Sequence, residues 1–143
     1  MSEKFVGRTK HGELTLDQLA GIQPGMARLM DEVGRRYSIM YYACKGGNWE
    51  LGHHELKQVR GIFRIAVTTR PKYTSELESF DREYLTPIER AITQRDVDAF
   101  MIAVQGAIEA SDEAHRRLGY PFVRYRLPKQ APDYLDLGPA GES

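Results

Sequence analysis

Helical periodicity is clearest in Asp96-Val-Asp-Ala-Phe-Met-Ile-Ala-Val-Gln-Gly-Ala-Ile-Glu-Ala-Ser-Asp-Glu-Ala-His-Arg-Arg-Leu-Gly119. Its apolar and small residues recur every three or four positions, which places them on one face of an α-helix. They are Val97, Phe100, Met101, Val104, Ala107, Ile108, Ser111, Ala114, His115 and Leu118. Asp96 has the position of an N-cap, and Gly119 is a typical helix-ending residue. The stretch predicts a helix over about residues 96–118 with His115 on its inner face.

Three earlier segments carry apolar stripes of the same kind, and they predict helices over about residues 24–44, 49–69 and 75–92. Pro24 suits the first turn of the first helix, and Asn48 suits the N-cap of the second. Ser75-x-x-Glu78 has the spacing of a capping box for the third, and Pro87 should kink or restart it. Four helices joined by short breaks predict an all-α fold, an antiparallel up-down-up-down four-helix bundle.

The two ends of the chain are expected to differ from the helices between them. Residues 1–13 are predicted to form a loose polar lead-in, and Thr15-x-x-Gln18 predicts a short helical turn after it. No strand alternation is found. Four prolines after Tyr120 predict an extended tail, with residues 130–143 mobile. The whole of 1–143 is expected to be a single domain.

The overall composition excludes several classes of protein. The chain has 20 basic and 20 acidic residues, so its net charge of zero argues against general binding to nucleic acid or to an anionic membrane. Cys44 is the single cysteine, which excludes an internal disulfide and a thiolate metal cage. We expect Cys44 to be a small buried apolar residue. No apolar run approaches the roughly 18 residues of a membrane span, so a cytoplasmic protein is expected.

Two histidines follow a carboxylate at the spacing of di-iron ligand pairs in helical bundles. Glu50-x-x-His53 opens the second predicted helix, and Asp112-x-x-His115 closes the fourth. In an up-down bundle these helices run parallel, which separates the two pairs by roughly 25 Å at 1.5 Å per residue. A carboxylate–histidine metal enzyme is therefore the weakest hypothesis. The alternative is a first-turn carboxylate at Glu50 and surface histidines at His53 and His54.

His115 is the strongest candidate for a cofactor ligand. By level it should lie near the start of the first helix, where Met26 and Met30 also face inward. A histidine and a methionine are a known axial pair for haem iron. The alternative is that the methionines fill the core and that His115 is hydrogen-bonded at the end of the bundle.

Two motifs resemble the four-helix-bundle c-type cytochromes, a cytochrome c prime-like family. They are Gly47-Asn48-Trp49-Glu50-Leu51 with His54-Glu55-Leu56, and His115-Arg-Arg-Leu-Gly119-Tyr-Pro121-Phe122-Val-Arg124. The resemblance covers about residues 15–129 in the same order. It implies the four-helix fold and a last helix that carries C-x-x-C-H, whose cysteines bind haem covalently and whose histidine binds the iron.

This chain departs from that motif at both cysteine positions. It reads Ser111-Asp112-Glu113-Ala114-His115, so only the histidine of C-x-x-C-H is present. Serine and alanine cannot form thioethers with haem, which excludes covalent attachment. Our first hypothesis is therefore a non-enzymatic cytoplasmic binding or interaction protein, with an unknown protein partner or small ligand and a homodimer as one option. The alternative is noncovalent haem b in an electron-transfer or haem-sensing protein, with His115 as axial ligand and Met26, Met30, Ser111 and Ala114 around it.

Overall fold

The computed structural model describes residues 6–139 and 141, and over them the chain is mostly helical with one small two-stranded sheet. The strands are β1 Val6–Thr9 and β2 Gly12–Thr15, and the helices are α1 Leu16–Gly21, α2 Met26–Lys45, α3 Trp49–Thr69, α4 Thr74–Phe80, α5 Thr86–Gln94 and α6 Val97–Arg117. A 3₁₀ turn, Pro71–Tyr73, precedes α4, and a π turn, Asp81–Leu85, joins α4 to α5. Residues 1–5 of the predicted lead-in and 140, 142 and 143 of the predicted mobile tail lie outside the described residues.

Local capping chemistry sets several helix ends as predicted. The side chains of Thr15, Asn48 and Asp96 each accept a hydrogen bond from the backbone N–H three residues later, at 3.0–3.1 Å. The Gln18 side chain in turn accepts a hydrogen bond from the Thr15 N–H at 2.8 Å, which completes a capping box. Gly119 follows α6 with a φ of +93°, a left-handed conformation that glycine adopts without strain.

The N-terminal hairpin contradicts the loose lead-in and the expected absence of strands. Strands β1 and β2 pair antiparallel, with Val6 opposite Thr15 and Thr9 opposite Gly12. Lys10 and His11 form the two-residue turn between them. The sequence did not predict the hairpin because its turn lacks the asparagine–glycine signature and each strand has only four residues.

Two residues predicted to mark helix starts do not have the predicted role. Helix α2 begins at Met26 with Gly25 as N-cap, so Pro24 precedes the helix instead of lying in its first turn. Helix α4 begins at Thr74 and has no side-chain cap, so Ser75 lies inside the helix and the predicted capping box does not form. The reason is that the 3₁₀ turn feeds directly into α4, and the Thr74 hydroxyl donates to the Pro71 carbonyl at 2.8 Å.

A π turn stands directly before Pro87, where the sequence predicts a kink or restart. Proline has no N–H to donate to the preceding turn, and its ring crowds the carbonyl there, so a widened turn relieves the conflict. Arg60 on α3 holds the turn in place. Its guanidinium donates to the Asp81 carboxylate at 3.1 Å, to the Thr86 hydroxyl at 3.2 Å, and pairs with Glu89 at 2.9 Å.

The core lies where α2 packs on α3, α3 on α5, and α5 on α6. Its largest fully buried side chains are Phe100, Met40, Leu56, Leu85, Ile88, Val59, Val104 and Cys44. Cys44 is thus buried as predicted, and burial raises the pKa of its thiol to about 12. In the part of the chain that the structure describes, no helix combines the length and the apolar character needed to cross a membrane.

Gly52 on α3 provides a test of this packing. A Cβ at Gly52 would collide with the Cys44 sulfur, whereas a Cβ at Gly106 on α6 would meet nothing within 4 Å. We expect Gly52→Ala to lower the free energy of unfolding by about 1–3 kcal/mol through overpacking. The matched control Gly106→Ala should raise it by about 0.5–1 kcal/mol, because alanine is the better helix former. Urea unfolding followed by circular dichroism measures both, and equal effects would contradict this close contact.

Candidate ligand cavity

One cavity of about 520 Å³ opens among α2, α3, the α4–π-turn segment, the end of α6 and the start of the tail. Its volume lies within the range of small-molecule binding pockets. The deep wall is formed by apolar side chains, among them Met30, Val33, Val59, Phe63, Leu77, Phe80, Leu85, Ala107 and Ile108. Aromatic rings of Tyr37, Tyr73, Tyr84, Tyr120 and Tyr125 complete it. A cavity with apolar walls and a few polar groups suits a largely apolar ligand.

The structure brings the five predicted site residues to this one cavity. Met26 and Met30 come from the first turns of α2, while Ser111, Ala114 and His115 come from the last turns of α6. Their predicted role in cofactor binding stays a prediction. Both methionines are partly buried and pack beside Leu29, Ile62 and Ala66, as the core-filling interpretation requires.

His115 is half-buried, and its ring is oriented by its own helix. The Nδ1 atom lies 2.7 Å from the Ser111 carbonyl oxygen. Since a carbonyl can only accept, Nδ1 carries a hydrogen, and Nε2 is the ring nitrogen that has a lone pair when the imidazole is neutral. A histidine that binds a metal commonly donates its other N–H to a backbone carbonyl in this way. The ring is therefore prepared to accept a hydrogen bond or to bind a metal through Nε2.

The rim of the cavity is charged and nearly balanced. Arg117 on α6 donates to both oxygens of Glu76 on α4, at 3.1 and 3.3 Å. Glu83 accepts from Ser79 at 3.2 Å. Among the described residues, no ion pair involves the exposed Arg124. A ligand that projects past the rim therefore meets carboxylates and guanidinium groups together.

The sequence pattern missed the contribution of Tyr125, which lies in the tail and forms part of the cavity wall. Its hydroxyl donates to the Gly34 carbonyl at 2.7 Å, and its ring packs edge-on against Tyr37 with 5.8 Å between centroids. The Tyr37 hydroxyl in turn donates to the Val104 carbonyl at 2.7 Å. Burial raises the pKa of Tyr125 to about 12 and also raises the pKa of Tyr37, so both hydroxyls stay protonated as donors. The available signal was an aromatic residue within the predicted extended tail, before residues 130–143.

The tail continues from Tyr125 along α2 toward α3. The Tyr42 hydroxyl donates to the Pro128 carbonyl, and Asn48 donates to the Asp136 carbonyl at 3.0 Å. The predicted mobility of residues 130–143 stays a prediction.

The carboxylate–histidine pairs do not meet. Glu50 lies in the first turn of α3 and pairs with Arg95 at 3.0 Å, just before α6 begins. His115 lies roughly 30 Å further along α6 at 1.5 Å per residue. Asp112 instead accepts the Tyr125 backbone N–H at 3.0 Å, and His53 is exposed. Within residues 6–139 and 141, no three side chains of histidine, cysteine, aspartate or glutamate form a group that could hold a metal ion.

No model of a known protein family matches this chain, and no curated protein or solved structure shows significant similarity to it.

Proposed function

We propose that this chain is a non-enzymatic binding protein that takes an apolar small molecule into the cavity beside His115. The observation that carries this proposal is the cavity itself, about 520 Å³ in volume, with an apolar interior and His115 as its oriented polar group. Binding pockets typically combine an apolar wall with a small number of placed polar groups. The proposal also includes four predictions from the sequence. They are a cytoplasmic location, an unknown protein partner, a homodimer as one option, and a lack of nucleic-acid binding.

The proposal includes an antiparallel four-helix bundle in which α4, the π turn and α5 together act as the third helix. Two ion pairs support this arrangement. Glu76 at the start of α4 meets Arg117 at the end of α6, as expected for antiparallel neighbours. Glu50 at the start of α3 meets Arg95 just before α6, as expected for the parallel second and fourth helices. Descent from the cytochrome c prime-like fold is proposed on the sequence resemblance alone.

Noncovalent haem b is the second candidate ligand, favoured by the 2.7 Å contact between His115 Nδ1 and the Ser111 carbonyl. In the neutral imidazole this contact leaves Nε2 free to bind haem iron, so the chemistry of His115 fits the group. Met26 or Met30 would be the candidate second ligand, while Ser111 and Ala114 line the same cavity and cannot form thioethers. Haem, when bound, would supply an iron centre for electron transfer or haem sensing. His115 would hold the iron, and the apolar wall would exclude water.

A substitution that fills the cavity tests the proposal. Ala114 is half-buried and lines the cavity, whereas Ala27 is exposed on α2. We expect the wild-type protein to bind haemin saturably with one site. Ala114→Trp should weaken this binding by roughly tenfold or more, because the indole displaces ligand that buries apolar area.

Absorbance titration in the Soret region measures both affinities, and circular dichroism verifies that each variant is folded. Ala27→Trp is the matched control and should bind haemin as the wild type does. No saturable binding to the wild type, or equal affinities for both variants, would overturn the proposed site.

A further inference from the structure

Three large apolar side chains lie exposed in the loop that follows α6. Tyr120 is 47% exposed, Phe122 74% and Val123 41%. The rings of Tyr120 and Phe122 meet edge-on with 6.1 Å between centroids. Tyr120 and Val123 also line the rim of the cavity. An apolar cluster that stays in water beside a cavity is typical of a surface that becomes covered on binding.

This loop is fixed at both of its ends. At the start, Gly119 turns the chain away from α6, and the Tyr120 N–H donates to the His115 carbonyl at 2.7 Å. At the end, Tyr125 donates its N–H to Asp112 and its hydroxyl to Gly34. A Cβ at Gly34 would lie only 3.0 Å from the Tyr125 ring, so α2 leaves room there for this anchor. The segment between the anchors is therefore held beside the cavity.

Between the two anchors the backbone is held loosely. Among the described residues, a single backbone hydrogen bond lies within 120–124, from the Val123 N–H to the Tyr120 carbonyl at 3.0 Å. The other walls of the cavity are helices and the π turn, whose backbone is held by regular hydrogen bonds. Segments with few buried contacts open and close at the lowest free-energy cost. The loop is thus the wall that moves most easily.

We propose that residues 120–124 form a lid that closes over a ligand in the cavity and buries Phe122 against it. The lid rests on the proposed function, since it requires a ligand in the cavity. Lids of this kind exclude water from a bound ligand and slow its release.

The affinity for haemin tests the lid. Phe122→Ala should raise the Kd for haemin by about tenfold or more, because the lost ring no longer buries apolar area on the ligand. The matched control is Ile102→Ala, a residue that is 75% exposed on α6 away from the cavity. It should change the Kd by less than about twofold, as expected for a surface site. Both side chains are exposed in the free protein, so both variants should fold.

Hydrogen exchange followed by mass spectrometry provides the second readout. With haemin bound, the amides of Tyr120 and residues 122–124 should exchange several-fold more slowly, and those around Arg95, just before the start of α6, should not change. An unchanged Kd for Phe122→Ala, or unchanged exchange in 120–124 with haemin bound, overturns the lid and leaves the proposed function intact. If the wild type does not bind haemin at all, the proposed function fails and the lid fails with it.

Discussion

Truncating Phe100 to alanine should lower the free energy of unfolding by about 3–5 kcal/mol, the range for large aromatic side chains removed from a core. Phe100 is fully buried on α6. Its ring stands edge-on to Trp49 at 6.0 Å and stacks with Tyr41 at 6.5 Å between centroids. It therefore ties α6 to both α2 and α3, and the cavity left behind would be bordered by rings that cannot collapse into it.

Chemical denaturation followed by far-UV circular dichroism measures this effect. Ile102→Ala is the matched control two residues away, where the side chain is 75% exposed and the change should stay within about 0.5 kcal/mol. A small loss for Phe100→Ala, comparable to the control, would show that α6 does not pack on the α2–α3 pair through this ring.

Replacing His115 with alanine should remove the protein nitrogen that binds the iron of haemin and weaken haemin binding by roughly tenfold or more. The loss of a residue that merely hydrogen-bonds to a metal ligand already weakens metal binding by about tenfold or more, and the loss of the ligand itself should cost at least as much. The physical reason is that Nδ1 donates its hydrogen to the Ser111 carbonyl, so Nε2 is the ring nitrogen that can bind iron. The Soret maximum should therefore shift relative to the wild-type complex, and added imidazole should restore it by supplying the missing nitrogen.

His54→Ala is the control for haemin bound to surface histidines, because His54 is exposed on α3. It should leave both the spectrum and the affinity unchanged. If His115→Ala keeps the wild-type spectrum, His115 is not an axial ligand. The cavity could then still hold an apolar molecule, and the first candidate function would stand without the second.

Local chemistry explains which parts of the fold could be predicted from the sequence. Thr15, Asn48 and Asp96 form caps with neighbours three residues away, so sequence spacing alone is sufficient. The predicted capping box at Ser75 does not form because the chain is already helical before Ser75. The preceding 3₁₀ turn, Pro71–Tyr73, leads directly into α4. The hairpin could not be predicted because a Lys–His pair has no strong preference for a hairpin turn, and the pairing of the two strands is seen only in the structure.

The candidate site was predicted in part for a related reason. The apolar stripes place Met26, Met30 and His115 at matching levels of neighbouring helices, and the structure brings them to one cavity. The pattern could not show that space remains between them, because a cavity is what packing leaves unfilled. The role of Tyr125 depends on where the tail crosses α2, and no periodicity encodes that crossing.

The central claim is that the cavity between the start of α2 and the end of α6 takes up an apolar molecule, and haemin is the probe that tests it. Iron in haemin is paramagnetic and broadens the NMR signals of nearby amides, so a ¹H–¹⁵N spectrum of the labelled protein with haemin locates it directly. We expect broadening at residues 107–117 of α6, 26–37 of α2, and 120 and 122–125 of the tail, with sharp signals at residues 43–50 and 95–98 at the opposite end. Broadening centred on those distant residues, or a spectrum that haemin leaves unchanged, would contradict the account.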